Sequence, residues 1–298
     1  MSTPTAPRPP HGPLPPASGA PHPGPGQRPP YGQQGPWAGQ APAGYESPIP
    51  VVRVHLGHAL LSEWTKIRSV RSTVWTLGVF FLLVLGIGVL FTTQVGEQLG
   101  RTDTVTLFAF PGLLLGSICI MTLGVLVVTS EYGTGLIRPT LTASPQRHRV
   151  LLAKILVFSG LTFVVGLVSV GLVSVIAEGS YAGAGGDWGG PALLATLYVS
   201  LLGVLALAVG SMLRHSAGAI TTMLAAMLVP SILPAFLMIS ASTKPLGELM
   251  MEYSAPTALT YLTMPDGADN GHHQLLFLVV VTAAAVGGAF ALLERRDV

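Results

Sequence analysis

Residues 73–93 read TVWTLGVFFLLVLGIGVLFTT. The run contains no Asp, Glu, Lys, Arg or His. As a helix it reaches about 30 Å, the thickness of the hydrocarbon layer of a bilayer. In lipid a backbone must satisfy its own N–H and C=O groups, and an open-ended segment does so only as a helix. This stretch therefore predicts a membrane-spanning helix, and the rest of the chain is read outward from it.

Five more apolar stretches follow, at about 104–129, 151–177, 191–213, 217–242 and 274–293. Each is long enough to cross a bilayer. None is read as holding an ionisable residue in its interior; Lys154, where the loop continues into the third stretch, is counted with the loop charges. Composition agrees: the 298 residues are 50% hydrophobic and 9% charged, with a mean hydropathy of +0.61. Soluble domains carry about 25% charged residues. The expected fold class is an all-α integral membrane protein with six transmembrane helices. A net charge of +2 gives no footprint for nucleic acid. One cysteine, Cys119, excludes an intrachain disulfide.

The N-terminal part is a different polymer. Of 25 prolines, 16 fall in residues 1–50. Residues 1–48 hold few aliphatic side chains and read as a disordered, proline-rich cytoplasmic tail, with the membrane domain expected over 49–298. Pro9-Pro10 to Pro15-Pro16 would suit a proline-recognising domain, although a passive tail is the simpler reading.

Between tail and first span, residues 51–72 predict an amphipathic helix lying at the membrane surface. Leu56, Leu60, Trp64 and Ile67 share one face, while Glu63, Lys66, Arg68 and Arg71 fill in elsewhere. Glu63 and Lys66 are i,i+3 neighbours, and Trp64 is placed to lie against Arg68.

Basic residues set the expected topology. Outside the tail, 11 Lys and Arg fall on the side of the termini and only 2, Arg101 and Lys244, on the other. Both termini are therefore expected in the cytoplasm of a multi-pass protein of the cell membrane. Within the bundle, Gly112 and Gly116 offer a close helix approach. Pro230 and Pro234 predict a kink or break in the fifth span. The outer segment after Ser242 is too apolar for a solvated loop, so short helices dipping into or capping the outer surface are expected there.

Much of the ordinary chemistry is missing. Without an ionisable group inside a span, ion coupling is disfavoured. The chain has no Gly-x-x-x-x-Gly-Lys-Ser/Thr loop, no His-Glu-x-x-His pair and no Gly-x-Ser-x-Gly elbow. No enzyme activity is expected, and no cofactor or metal on this chain. Asp266, Asp269, His272 and His273 could supply zinc ligands, but a polar loop is the plainer reading. The scattered Ser117, Thr122, Ser169 and Ser174 point weakly to an amphipathic or lipid-like cargo.

The distinctive segment lies between spans two and three. It runs from Thr129 through Glu131, Tyr132, Gly133, Thr134, Gly135, Arg138, Pro145, Arg147 and Arg149 to Lys154. Two glycines permit tight turning and two prolines, Pro139 and Pro145, stop helices. Glu131 at the lipid boundary needs a partner, and Arg138 or an arginine of the amphipathic helix is the natural candidate. Such a loop suits docking of a cytoplasmic partner.

At these residues the chain resembles the ABC type-2 permeases, the membrane subunits of ATP-binding-cassette exporters. Ser62 to Thr73 is similar to the first amphipathic helix of actinobacterial members. Glu131-Tyr132-Gly133-Thr134-Gly135, with Ile137-Arg138, Thr140-Leu141, Pro145, Arg147 and Ala153-Lys154, is similar to their loop after span two. Arg295-Arg296-Asp297 fits the usual ending, while Leu136 and Pro139 depart from the common pattern. The resemblance covers about 53–298. It implies two six-span subunits, as a homodimer or heterodimer, each on a separate ATPase that binds ATP and Mg. The Glu131–Arg149 loop and the Glu63–Arg71 helix would then be the coupling elements, and the activity would be export of an amphipathic or lipid-like compound or drug. The alternatives are a non-transporting anchor or scaffold that recruits partners through its tail, or an ion-coupled secondary transporter.

Overall fold

Prolines and histidines mark where the helices begin. Pro111, Pro234, Pro245 and Pro256 each sit in the first turn of a helix. There the missing N–H costs nothing, because the first N–H groups of a helix have no internal acceptor. The His215 imidazole caps another helix by accepting the Gly218 N–H at 3.0 Å.

The computed structural model describes residues 55–99, 105–135, 147–180, 188–264 and 271–295. The proline-rich tail with its boundary at 48/49, the loop centre with Arg138 and Pro145, and Asp266 and Asp269 lie outside the described residues. In chain order the helices are α1 (Leu56–Ser69), α2 (Arg71–Leu99), a 3₁₀ turn (Val105–Ala109), α3 (Phe110–Gly133), α4 (Arg147–Ser180), α5 (Gly189–Leu213), α6 (Ser216–Ile232), α7 (Pro234–Leu237), α8 (Lys244–Glu252), α9 (Ala255–Thr263) and α10 (His272–Arg295). No strand occurs among the described residues. Six segments are long and apolar enough to cross a membrane: Arg71–Val95, Val105–Gly133, His148–Ser180, Gly189–Leu213, Ser216–Leu237 and His272–Arg295. The chain is an all-α, multi-pass membrane protein.

Two helices form the centre. In the most apolar windows of α5 and of the Val105–Gly133 segment, 67% and 61% of residues are buried, against 17–28% in the other four spans. The peripheral helices thus show most of their apolar surface outward, as lipid-facing helices do. Lipid tails are as apolar as Leu, so what holds helices together is close approach of backbones rather than the hydrophobic effect. Glycines provide that approach. A Cβ on Gly112 would lie 2.7 Å from the Cα of Val84, and one on Gly116 would lie 2.7 Å from the Phe80 ring, so both sit tight against α2. Gly124 faces the backbone carbonyl of Gly203 across the α3–α5 seam, and Gly210 lies against the backbone of Val125 one step further along.

Polar side chains inside the spans are largely spent on their own helices. Thr122, Thr129, Thr162 and Ser169 each donate to the carbonyl four residues earlier, at 2.7–3.0 Å. Ser117 donates to the Leu114 carbonyl at 2.6 Å. These hydroxyls therefore add little polarity to any path through the bundle.

Two bounds need adjusting. The fifth span, expected to kink or break at its prolines, is interrupted at Leu233 between α6 and α7, and its helix ends at Leu237 rather than Ser242. Pro230 lies inside α6, two residues before its end. The second span opens with a 3₁₀ turn before Pro111 starts α3. The segment beyond Ser242 forms short helices, and α9 packs among α3, α5 and α6 with Ala258, Leu259 and Leu262 buried.

Gly112→Ala and Gly124→Ala should each lower the midpoint of thermal unfolding in detergent, because the added methyl meets backbone. Overpacking of this kind costs about 1–3 kcal/mol. Gly86→Ala, with nothing within 4 Å of its Cβ position, should leave the midpoint unchanged or raise it.

Candidate functional site

A carboxylate taken out of water needs a cation and hydrogen bonds in return. Glu63 of α1 is 2% exposed and Glu131, two residues from the end of α3, is 7% exposed. Both find lysines. The Lys154 ammonium of α4, 4% exposed, donates to Glu63 Oε2 at 2.6 Å and to Glu131 Oε1 at 2.9 Å. Lys66 of α1 donates to Glu63 Oε1 at 2.8 Å and to the same Glu131 Oε1 at 3.0 Å. Two carboxylates and two ammonium groups close a neutral ring that joins three helices. Glu131 Oε2 remains buried without a hydrogen-bond partner among the described residues.

The ring follows from local structure. Glu63 and Lys66 are one turn apart on α1, so they share a face and pair directly. Ile67 is buried beside them. Val70, in extended conformation, ends α1 and lets α2 start at once. That single-residue joint holds α1 against the bundle, and its closest helix partner is α4. The long stem of Lys154 lies among apolar neighbours while its head reaches the carboxylates. A groove of about 490 Å³ runs beside the ring between α1, α2 and α3, with Val70, Thr73, Leu126 and Ser130 in its walls.

The electrostatics of Lys66 are a balance. Burial acts to lower its pKa, but the hydrogen bond and charge of Glu63, followed by the charge and hydrogen bond of Glu131, outweigh it. The ammonium is held above its ordinary value of 10.5.

The next contact outward is Tyr132, whose ring lies 5.0 Å under the Arg214 guanidinium. Arg214 caps α5 in the left-handed region at φ 54°. Beyond Tyr132 the helix ends in an exposed stretch. Gly133 stays helical, Thr134 N–H returns to Ser130, and Gly135 turns away at φ 72°, which Gly adopts without strain.

Several sequence expectations are corrected here. Among the described residues the partners of Glu131 are lysines, Lys66 on the amphipathic helix and Lys154 on α4, while Arg138 lies outside the described residues. Lys154 is not in a loop but eight residues into α4, so the third span does contain a buried charge at its end. On α1, Glu63 takes the inward face and Trp64 is turned out, 47% exposed. Among the described residues the cation–π contact is Arg214 on Tyr132, not Arg68 on Trp64.

The remaining residues of interest scatter. Arg68 and Arg71 are exposed and Arg149 is half-buried. Arg147 begins α4, with its side chain outside the described residues. No group of three or more metal-ligating side chains occurs among the described residues. Sequence reasoning missed the ring as a unit and the Arg214–Tyr132 contact. The signal for the first was present, since Lys154 is a cation next to an apolar run with Glu131 across one loop.

No protein-family model matches the chain, and no curated protein matches it.

Lys154→Met should destabilise the protein by roughly 3–5 kcal/mol, because it leaves two buried carboxylates short of a cation. Lys66→Met should cost less, since its side chain is 36% exposed against 5% for Lys154. Chemical unfolding of the detergent-solubilised variants compares the two. The stability Lys66 supplies belongs to its charged form. It should be constant below about pH 10.5 and fall away as pH rises through the higher folded-state value. The gap between wild type and Lys66→Met should close in that range.

Proposed function

We propose that this chain is the membrane-spanning subunit of an ATP-driven exporter of the ABC type-2 permease kind, lying in the cell membrane with both termini in the cytoplasm. A separate ATPase subunit would hydrolyse ATP, and a second permease subunit would complete the pathway. The observation that carries this reading is the ion ring. A surface helix outside the spans is bonded through buried charges to the end of α3 and the start of α4. A push on α1 or on the segment after Glu131 would therefore be passed to two spans at once. The segment that begins at Glu131 is exposed from Gly133 to Gly135, as a docking element must be. The sequence resemblance over Ser62–Thr73 and Glu131–Lys154 supports the same assignment.

In this mechanism the chain's own residues move no protons and break no bonds. Glu63 and Lys66 hold α1 to the bundle. Glu131 and Lys154 hold the two ends of the loop together. ATP-driven closure of the partner would shift α1 and the loop, and the ring would carry that shift to α3 and α4 as a rigid unit.

A second reading draws on the same residues. Ionisable groups within membrane spans often serve ion-coupled transport, and Glu131 Oε2 has no hydrogen-bond partner among the described residues. That reading requires transport to stop when the proton or sodium gradient is collapsed at constant ATP.

The decisive experiment is gentle detergent extraction of tagged protein, with identification of what co-purifies in stoichiometric amount. A Walker-motif ATPase at one copy per permease is expected, and changes in the Glu131–Arg149 loop should release it. In the reconstituted complex, Glu131→Ala and Arg138→Ala should reduce stimulation of ATPase activity by cargo. A coupling free energy of 1–3 kcal/mol corresponds to a loss of roughly 5- to 150-fold. Unchanged transport in both variants, with normal membrane insertion, would remove the coupling role.

A further inference from the structure

In the half of the bundle away from the ring, a cavity of about 600 Å³ opens between α3, α5, α6, α8, α9 and α10. Sites for small organic ligands fall in the range of about 300–1,000 Å³. No ionisable carboxylate, amine, guanidinium or imidazole lines it. Four of the chain's nine methionines do: Met121, Met223, Met227 and Met250. Methionine has three rotatable bonds and a polarisable sulfur, so such a wall adapts to ligands of different shape.

Few polar features break the apolar surface: the hydroxyls of Tyr198 and Tyr253 and the backbone around Pro230. Tyr198 lines the cavity, is 4% exposed, and its hydroxyl makes no hydrogen bond among the described residues. A ligand acceptor would give that hydroxyl the partner that the described residues do not. Opposite, on α6, Pro230 has no N–H to give the carbonyl of Ala226 one turn back, and both residues line the cavity. A charged ligand is excluded, because nothing in the lining would offset its lost hydration.

We propose that this cavity binds an uncharged, mostly apolar small molecule whose one hydrogen-bond acceptor is met by the Tyr198 hydroxyl. That this molecule is the exported cargo rests on the permease reading; the binding itself does not.

The test uses the full-length chain in lipid nanodiscs with benzophenone, which is neutral, carries one carbonyl acceptor and inserts preferentially at methionine on irradiation. Adducts are mapped by peptide mass spectrometry. Labelling at Met223, Met227 or Met250 should be saturable. Ala226→Trp fills the cavity from an exposed position on α6, and should raise the half-saturating concentration about tenfold or more. Tyr198→Phe, which keeps the ring, should raise it about two- to tenfold, the range of one hydrogen bond. Labelling that does not saturate, or that falls equally on the outward-facing Phe236 and Ile239 in wild type and Ala226→Trp, would overturn the site. So would a phospholipid retained through purification by wild type and lost in Ala226→Trp, because a bilayer chain would then be the occupant. None of these results depends on an ATPase, so failure of the permease reading and failure of this site are told apart.

Discussion

Charge beside hydrocarbon is tolerable only when it is matched, and the Glu63–Lys154–Glu131–Lys66 ring meets that condition with no net charge left over. Lys154 is nearly enclosed and holds both carboxylates; Lys66 is half-open to the outside and closes the circuit. Remove either carboxylate and an ammonium is stranded; remove Lys154 and two carboxylates face each other. The position of α1, the spacing of α3 and α4, and the start of the loop between them all rest on these four groups. A surface helix joined to its first span by a single residue would otherwise have little to hold it.

Elsewhere the bundle is ordered by the absence of side chains. α3 and α5 meet through Gly124, Gly203 and Gly210, and α2 meets α3 through Gly112 and Gly116. These seams leave almost no room at the centre. Apart from the groove beside the ring, space collects where helices are short or interrupted, along broken α6–α7 and the small helices α8 and α9. The tight seams and the large cavity are two results of one arrangement: long helices pack closely, and the proline-punctuated segment does not.

How much of this could be read in advance varies with the physics involved. The six spans were legible because apolar length is a one-dimensional property, and each is found within a few residues of its expected bounds apart from the fifth. The break near Pro234 was legible because proline acts locally. The ring was half legible. Glu131 announced its need for a partner and the amphipathic helix was the right place to look, but pairing depends on which face of α1 turns inward. The apolar residues suggested a face that included Trp64; the structure puts Glu63 there, because a matched charge pair outweighs one tryptophan that can lie outward. Gly124 and Gly203 gave no sign, since each is one glycine among many in an apolar run. The Tyr132–Arg214 contact joins ends of two different hairpins, and no spacing rule reaches that far.

Lys66 and Lys154 also lead two lives. While the chain is being threaded into a bilayer, each is an unmatched positive charge and counts toward the choice of which side is retained. Once folded, both are cancelled by Glu63 and Glu131 and vanish from the protein's outer field. The charges that bias orientation at synthesis are therefore not all the charges a lipid headgroup meets afterwards. Among the described residues near this helix, the positive charge left on the surface is that of Arg68 and Arg71, both exposed.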